Sequence, residues 1–136
     1  MYLYAEGSRT PTPDPEVQSL IDNESAKLGI TRRDIEPQEI MERCIYGLIT
    51  EGAQILEDGI AARSSDIDVV WINGYGFPRH RGGPMHYADT VGLASVYEKV
   101  CEFRDRFGAE FWEPPGLLKD LAGKDQRFSD FDKRNE

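Results

Sequence analysis

The sequence predicts an all-α domain of four or five helices. Two long stretches carry apolar residues at helical spacing, from Met41 to Ile60 and from Leu93 to Phe107. There is no extended alternating pattern and no internal repeat, so little or no sheet is expected.

Residues 1–13, with Gly7, Pro11 and Pro13, read as a polar, turn-rich tail or linker. Asp14 is placed to cap a first helix, with Pro15 at its first position and Glu16 near the positive end of its dipole. Val17, Leu20, Ile21 and Leu28 continue it, and Gly29 can end it. Residues 30–36 are a connection in which Thr31 and Asp34 have capping-box spacing. The strongest helix starts near Pro37. Its stripe is Met41, Cys44, Ile45, Leu48, Ile49, Ala53, Ile55, Leu56 and Ile60. Gly47 and Gly52 interrupt it at about 1 kcal/mol each relative to alanine. Close packing against a neighbouring helix is the reason the sequence offers. Gly59 lies near its end.

Ser65 and Asp68 again have capping spacing, ahead of Ile67, Val69, Val70, Trp71 and Ile72. That run fits either a buried strand or a helix buried on several sides. Residues 73–84, NGYGFPRHRGGP, are a loop of turn, aromatic and basic residues. Leu93, Val96, Tyr97, Val100, Phe103 and Phe107 mark another amphipathic helix, with Gly108 at its stop. Pro115 opens a last short helix through Leu117, Leu118 and Leu121, closed by Gly123. The end, QRFSDFDKRNE, reads as a frayed tail.

The 136 residues make room for one core. Lys plus Arg is 16 against 25 Asp plus Glu, a net charge of -9. This surplus argues against nucleic acid, which demands a positive surface, and against an anionic membrane surface. No apolar run approaches the ~18 residues of a membrane span. The N-terminus lacks a signal-peptide pattern, so a cytoplasmic location is expected. Cys44 and Cys101 sit in apolar-periodic segments and read as reduced core thiols.

The loop is the one segment that looks built for a task. Gly74 and Gly76 begin a G-x-G, but Arg79 stands where a third glycine is needed, and no strand–loop–helix unit surrounds it. Arg79, His80 and Arg81 could meet a phosphate, or could pair with carboxylates of this chain or a partner. Arg79, Arg81, Gly82, Gly83, Tyr75 and Phe77 are therefore structural or partner-facing candidates. The loop is expected to be ordered, with Tyr75 and Phe77 at least partly buried and both arginines turned towards a partner. His80 and His86 match no metal-ligand spacing. Glu51, Glu57 and Asp58 read as a solvated acidic face, and Ser8, Ser64 and Ser65 lack a nucleophile-elbow context. No catalytic, cofactor-binding or metal residue is assigned.

The stretch EIMERCIYGLITEGAQILEDGIAARSSDIDVVWINGYGFPRHRGGPMHYADTVGL resembles the C-terminal helical domain of 3-hydroxyacyl-CoA dehydrogenases. It is most similar to the second copy of that domain in multifunctional enoyl-CoA hydratase/3-hydroxyacyl-CoA dehydrogenase proteins of fatty-acid β-oxidation. The likeness covers residues 1–123 and rests chiefly on GYGFPRHRGGPMHYAD. It implies a helical bundle of the 6-phosphogluconate dehydrogenase C-terminal-like type. It assigns 1–35 to the end of a preceding helical copy, a linker and a lead-in helix, 36–123 to the second helical domain, and 124–136 to a tail.

In that family the hydride chemistry belongs to a Rossmann domain that holds NAD. The helical domain contributes an Asn, followed by Arg, early in its first long helix. Here the matching positions are Glu42 and Arg43. The resemblance thus implies a chain that is not itself catalytic and binds no cofactor, within a parent enzyme that uses NAD. Its implied partners are the Rossmann domain and first helical copy of the same polypeptide, on which it would pack as a built-in dimer partner. The isolated fragment is then expected to self-associate. Two other readings remain open: an independent all-α interaction module, and a small CoA-binding domain using Arg79 and Arg81.

Overall fold

The computed structural model of the chain describes residues 2–133. The chain divides into two units, Met1–Ile35 and Glu36–Glu136. Among the described residues there are eight α-helices and one two-stranded ribbon, so the all-α class holds.

In the first unit, β1 (Tyr2–Tyr4) pairs antiparallel with β2 (Pro11–Pro13) in the register Tyr2 to Pro13, Leu3 to Thr12 and Tyr4 to Pro11. The expected tail is therefore a short ribbon. Three-residue strands are too brief to show a period. The turn between them uses Gly7 at φ 74, and Thr12 Oγ1 donates to Leu3 O at 3.0 Å. Proline is tolerated in β2 because a two-stranded ribbon has only edge strands. α1 (Pro15–Lys27) begins as its sequence requires: Glu16 N donates to Asp14 Oδ1 at 3.0 Å. It closes with Gly29 in the left-handed region and Ile30 N donating to Ser25 O. No described side chain of this unit is buried, and Leu20, Ile21 and Leu28 are exposed. Thr31 and Asp34 cap nothing, because residues 30–36 carry no helix.

The second unit opens with α2 (Pro37–Glu57), proline in its first turn. Ile49, Ala53 and Leu56 lie in the core, joined by Met85, Val96, Phe103, Leu118 and Phe128 from later elements. The buried arc is narrower than the apolar stripe. Cys44 is exposed and Cys101 only half-buried; both are free thiols, so the core-thiol expectation fails on burial. Ile60 lies beyond the helix end and is exposed. Gly52 is explained by packing, since a Cβ there would sit 2.5 Å from Met85 Sδ. Gly47 faces open space, and packing does not explain it.

The ambiguous run is a helix, α3 (Ser64–Gly74). After the loop comes α4 (Pro84–Val91), then α5 (Leu93–Phe107), α6 (Ala109–Trp112), α7 (Gly116–Gly123) and α8 (Phe128–Asp132). Gly92 and Gly108, both at positive φ, separate α4 from α5 and α5 from α6. α5 and α7 match their sequence expectations. The frayed tail does not: Phe128 is fully buried, and α8 belongs to the core of the unit. Residues 134–136 of that expected tail lie outside the described residues.

Candidate functional site

Three aspartates join helices that are distant in sequence. Asp68 projects from α3 and accepts from Met85 N at 2.8 Å and His86 N at 3.0 Å, the open amides of α4. Asp89 projects from α4 and accepts from Phe128 N at 2.7 Å and Ser129 N at 3.1 Å, at the start of α8. Asp132 projects from α8 and accepts from Ser64 N at 2.8 Å and Ser64 Oγ at 2.6 Å, at the start of α3. Each helix thus caps the next, and the third returns to the first. Helix N-termini carry unpaired amides and partial positive charge, which a carboxylate answers on both counts. Burial raises the Asp68 carboxyl above its ordinary range, opposed by the two amide donors. These residues are structural. The Ser65–Asp68 spacing suggested a cap within one helix, whereas Asp68 serves another.

The loop from 73 to 84 is ordered around that cap. Tyr75 N and Phe77 N both donate to Trp71 O, at 3.2 and 3.0 Å, across Gly76 at φ 74. Arg79–Arg81 form one 3-10 turn, with Arg81 N on Pro78 O and Gly82 N on Arg79 O. Gly82 and Gly83 have positive φ; a Cβ on Gly82 would strike the His86 ring, and one on Gly83 the Asp68 carboxylate. Phe77 is buried, at 9% exposure, and borders a 240 Å³ pocket with Met41, Ile45 and Tyr87. Tyr75 is not: 71% of it is exposed. It ends α3 and lays its ring against Trp71, centroids 4.9 Å apart, instead of entering the core. Its expected burial is corrected accordingly.

Arg79 Nη2 donates to Asn73 Oδ1 at 3.1 Å, and Asn73 Nδ2 donates to Val69 O. The Arg81 guanidinium lies 5.8 Å from the Tyr87 ring centre. Arg43, Arg63, Arg104 and Arg106 each meet a carboxylate within 4.0 Å. Arg79 and Arg81 meet none among the described residues.

Glu42, on α2, accepts from Gln38 Nε2 at 2.8 Å and lies 4.0 Å from Lys99 Nζ. It is a half-buried, already partnered carboxylate. Buried Tyr46, one turn on, has its phenol pKa raised by burial and then by Glu42. Ser64 Oγ is committed to Asp132. The Gly74–Gly76 stretch ends a helix instead of leading into one, and the amides beside it are spent on Trp71 O. That arrangement does not fit a dinucleotide pyrophosphate. Among the described residues no group of three or more His, Cys, Asp or Glu could hold a metal ion.

An apolar cleft of about 530 Å³ runs between α2 and α3, with Leu48, Ile55, Val70, Trp71 and Tyr75 in its walls. Nothing in the sequence pattern marked it, because the same run reads as core. No described helix is long and apolar enough to cross a membrane.

The family described as the 3-hydroxyacyl-CoA dehydrogenase C-terminal domain matches residues 40–129. The peroxisomal bifunctional enzyme of Danio rerio is 44% identical over 125 residues, 90% of this chain and 17% of that protein. Its Homo sapiens counterpart is 44% identical over 117 residues, 85% and 16% of the two chains. A peroxisomal fatty acid beta-oxidation multifunctional protein of Oryza sativa subsp. japonica is 33% identical over 126 residues, 89% and 17%. The chain spans about one sixth of the length of these relatives.

Proposed function

The chain belongs to the family of 3-hydroxyacyl-CoA dehydrogenase C-terminal domains, and from that premise we propose that it is a non-catalytic helical domain of a multifunctional β-oxidation enzyme. The parent reaction is NAD-dependent oxidation of 3-hydroxyacyl-CoA to 3-ketoacyl-CoA, carried by a Rossmann domain elsewhere in the polypeptide. This domain packs on the preceding helical copy and stands in for a dimer partner. A fused partner is held at high effective concentration, so the interface forms without a second subunit. The parent works in the peroxisome, following the names of the relatives, rather than in the cytoplasm expected from the sequence.

The observation that carries this reading is Glu42. It stands where the family's asparagine belongs, and its carboxylate is engaged by Gln38 and Lys99. Asp68, the buried carboxylate, and the half-buried Asp89 and Asp132 hold helix ends. The polar chemistry here is spent on holding a shape.

The test is NADH oxidation with acetoacetyl-CoA. The isolated chain is expected to give no turnover, and the full-length protein of the same reading frame to turn over. Deleting residues 36–136 from the full-length protein should impair its activity or change its assembly. Turnover by the isolated chain above a no-protein background overturns the non-catalytic reading. A deletion without effect overturns the scaffold reading.

A further inference from the structure

The first unit ends in a segment unlike its other parts. Residues 30–36, ITRRDIE, carry no helix or strand, and every residue from 26 to 38 is exposed. Even the apolar Ile30 and Ile35 stand open, at 57% and 41%. The division between the two units falls at the end of this segment, between Ile35 and Glu36. The buried core cluster of the second unit runs from Tyr46 to Phe128 and takes nothing from it. A segment that buries no side chain opens locally at little cost. Exposed connections of this kind, with few contacts crossing them, are where chains are nicked.

Two arginines stand at the middle of the segment. Arg32 pairs with Asp22 on α1, and Arg33 Nη1 donates to Asp34 O at 3.1 Å. Exposed pairs are weak and do not hold a backbone in place. Other basic residues sit where the backbone is fixed. Arg43 lies within α2, Arg104 and Arg106 lie within α5, and Arg79 and Arg81 belong to the 3-10 turn. A helix or a closed turn must unwind before its peptide bond can enter a protease, and here that means breaking the core.

We propose that residues 30–36 are a processing site for a trypsin-class serine protease, which cuts after Arg32 or Arg33. The arginine fills the acidic specificity pocket of the protease. The protease serine bonds to the arginine carbonyl carbon, the C–N bond breaks, and the departing amine receives the serine proton by way of the protease histidine. Water then hydrolyses the ester, leaving a carboxylate on the arginine and a new amine on the residue that follows. Nothing is oxidised or reduced. The product retains the core cluster and all three aspartate caps, so the cut detaches a folded domain.

Limited digestion with trypsin tests this on the isolated chain and on the full-length protein, with products read by N-terminal sequencing and intact mass. The resistant product should begin at residue 33 or 34 in both. Purified from the isolated chain, it should melt cooperatively at the temperature of the uncut chain. Arg32→Gln/Arg33→Gln should lose this product, and Arg9→Gln, in the turn of the β1–β2 ribbon, should keep it. Subtilisin, which requires no arginine, should still cut the double variant between residues 28 and 38. That arm separates an open backbone from recognition of the arginines. A resistant product that begins elsewhere, or one that no longer melts cooperatively, overturns the proposal. So does a cut found in the isolated chain alone, since the segment is then covered in the parent. Persistence of the tryptic product in the double variant, or first cutting by subtilisin outside the segment, overturns it as well.

Discussion

The two units of this chain fasten their helices differently. In Met1–Ile35 the partners are near neighbours: Asp14 caps an amide two residues on, and β1 meets β2 across a short turn. In Glu36–Glu136 the caps of α3, α4 and α8 come from residues 17 to 68 positions away. The first unit buries no described side chain; the second surrounds Phe103 and Phe128 completely. Local capping sets where a helix starts. Distant capping fixes which helices stand beside each other, and it accompanies a core because only packed helices bring such residues together.

The largest expected effect breaks the second arrangement at its centre. Phe128→Ala should lower stability to urea by about 3–5 kcal/mol, since the ring is fully enclosed. A loss below about 1 kcal/mol would return residues 124–133 to the status of a tail. Next come two matched cap deletions. Asp68→Ala leaves two amides of α4 without an acceptor in a buried place and should cost about 1–3 kcal/mol. Asp14→Ala, its local and exposed counterpart, should cost about 1 kcal/mol or less, read as lost helicity of α1. Equal costs would erase the distinction between the two kinds of cap.

The smallest effect is one of pH. Burial raises the folded-state pKa of Asp68 above its ordinary 3.8. The folded chain therefore holds that proton more tightly than the unfolded chain. The stability from this group is complete below the ordinary value and is lost as pH rises through the raised one. Asp66, beside Arg63, and Asp130, beside Lys133, have lowered values and the opposite sign. Their contributions exist above the ordinary value and fade as pH falls through the lowered ones. The stability difference between wild type and Asp68→Asn should shrink as pH climbs from the ordinary carboxylate value. A difference that grows with pH would mean that the two amides outweigh burial.

What the sequence showed follows the same division. The start of α1 at Asp14–Pro15, the start of α2 at Pro37 and the stops at Gly29, Gly108 and Gly123 are local signals, and each holds. α4 and α8 went unseen because their capping acids lie in other helices, and α8 is in addition only five residues long. Asp68 was visible only as a capping-spaced partner of Ser65 in its own segment, and Asp132 as part of a frayed end. Phe77 was legible as a buried anchor from its glycine and proline neighbours. Tyr75, two positions away, was not, since its direction depends on how α3 terminates. The cleft was hidden for a related reason: Val70 reads like Ile67 and both line it, yet Ile67 is buried and Val70 is exposed, which their residue types do not reveal.

The closed ring of caps has a consequence for synthesis. Chains emerge from the N-terminus, so α3 is made long before the residue that finishes its start. Until Asp132 leaves the ribosome, the Ser64 amide has no carboxylate, Asp89 has no amides to hold, and the core lacks the Phe128 ring. The domain cannot settle piece by piece as it appears. Among the described residues α8 is the latch: the start of α3 and the packing around Phe128 stay incomplete until it has been made.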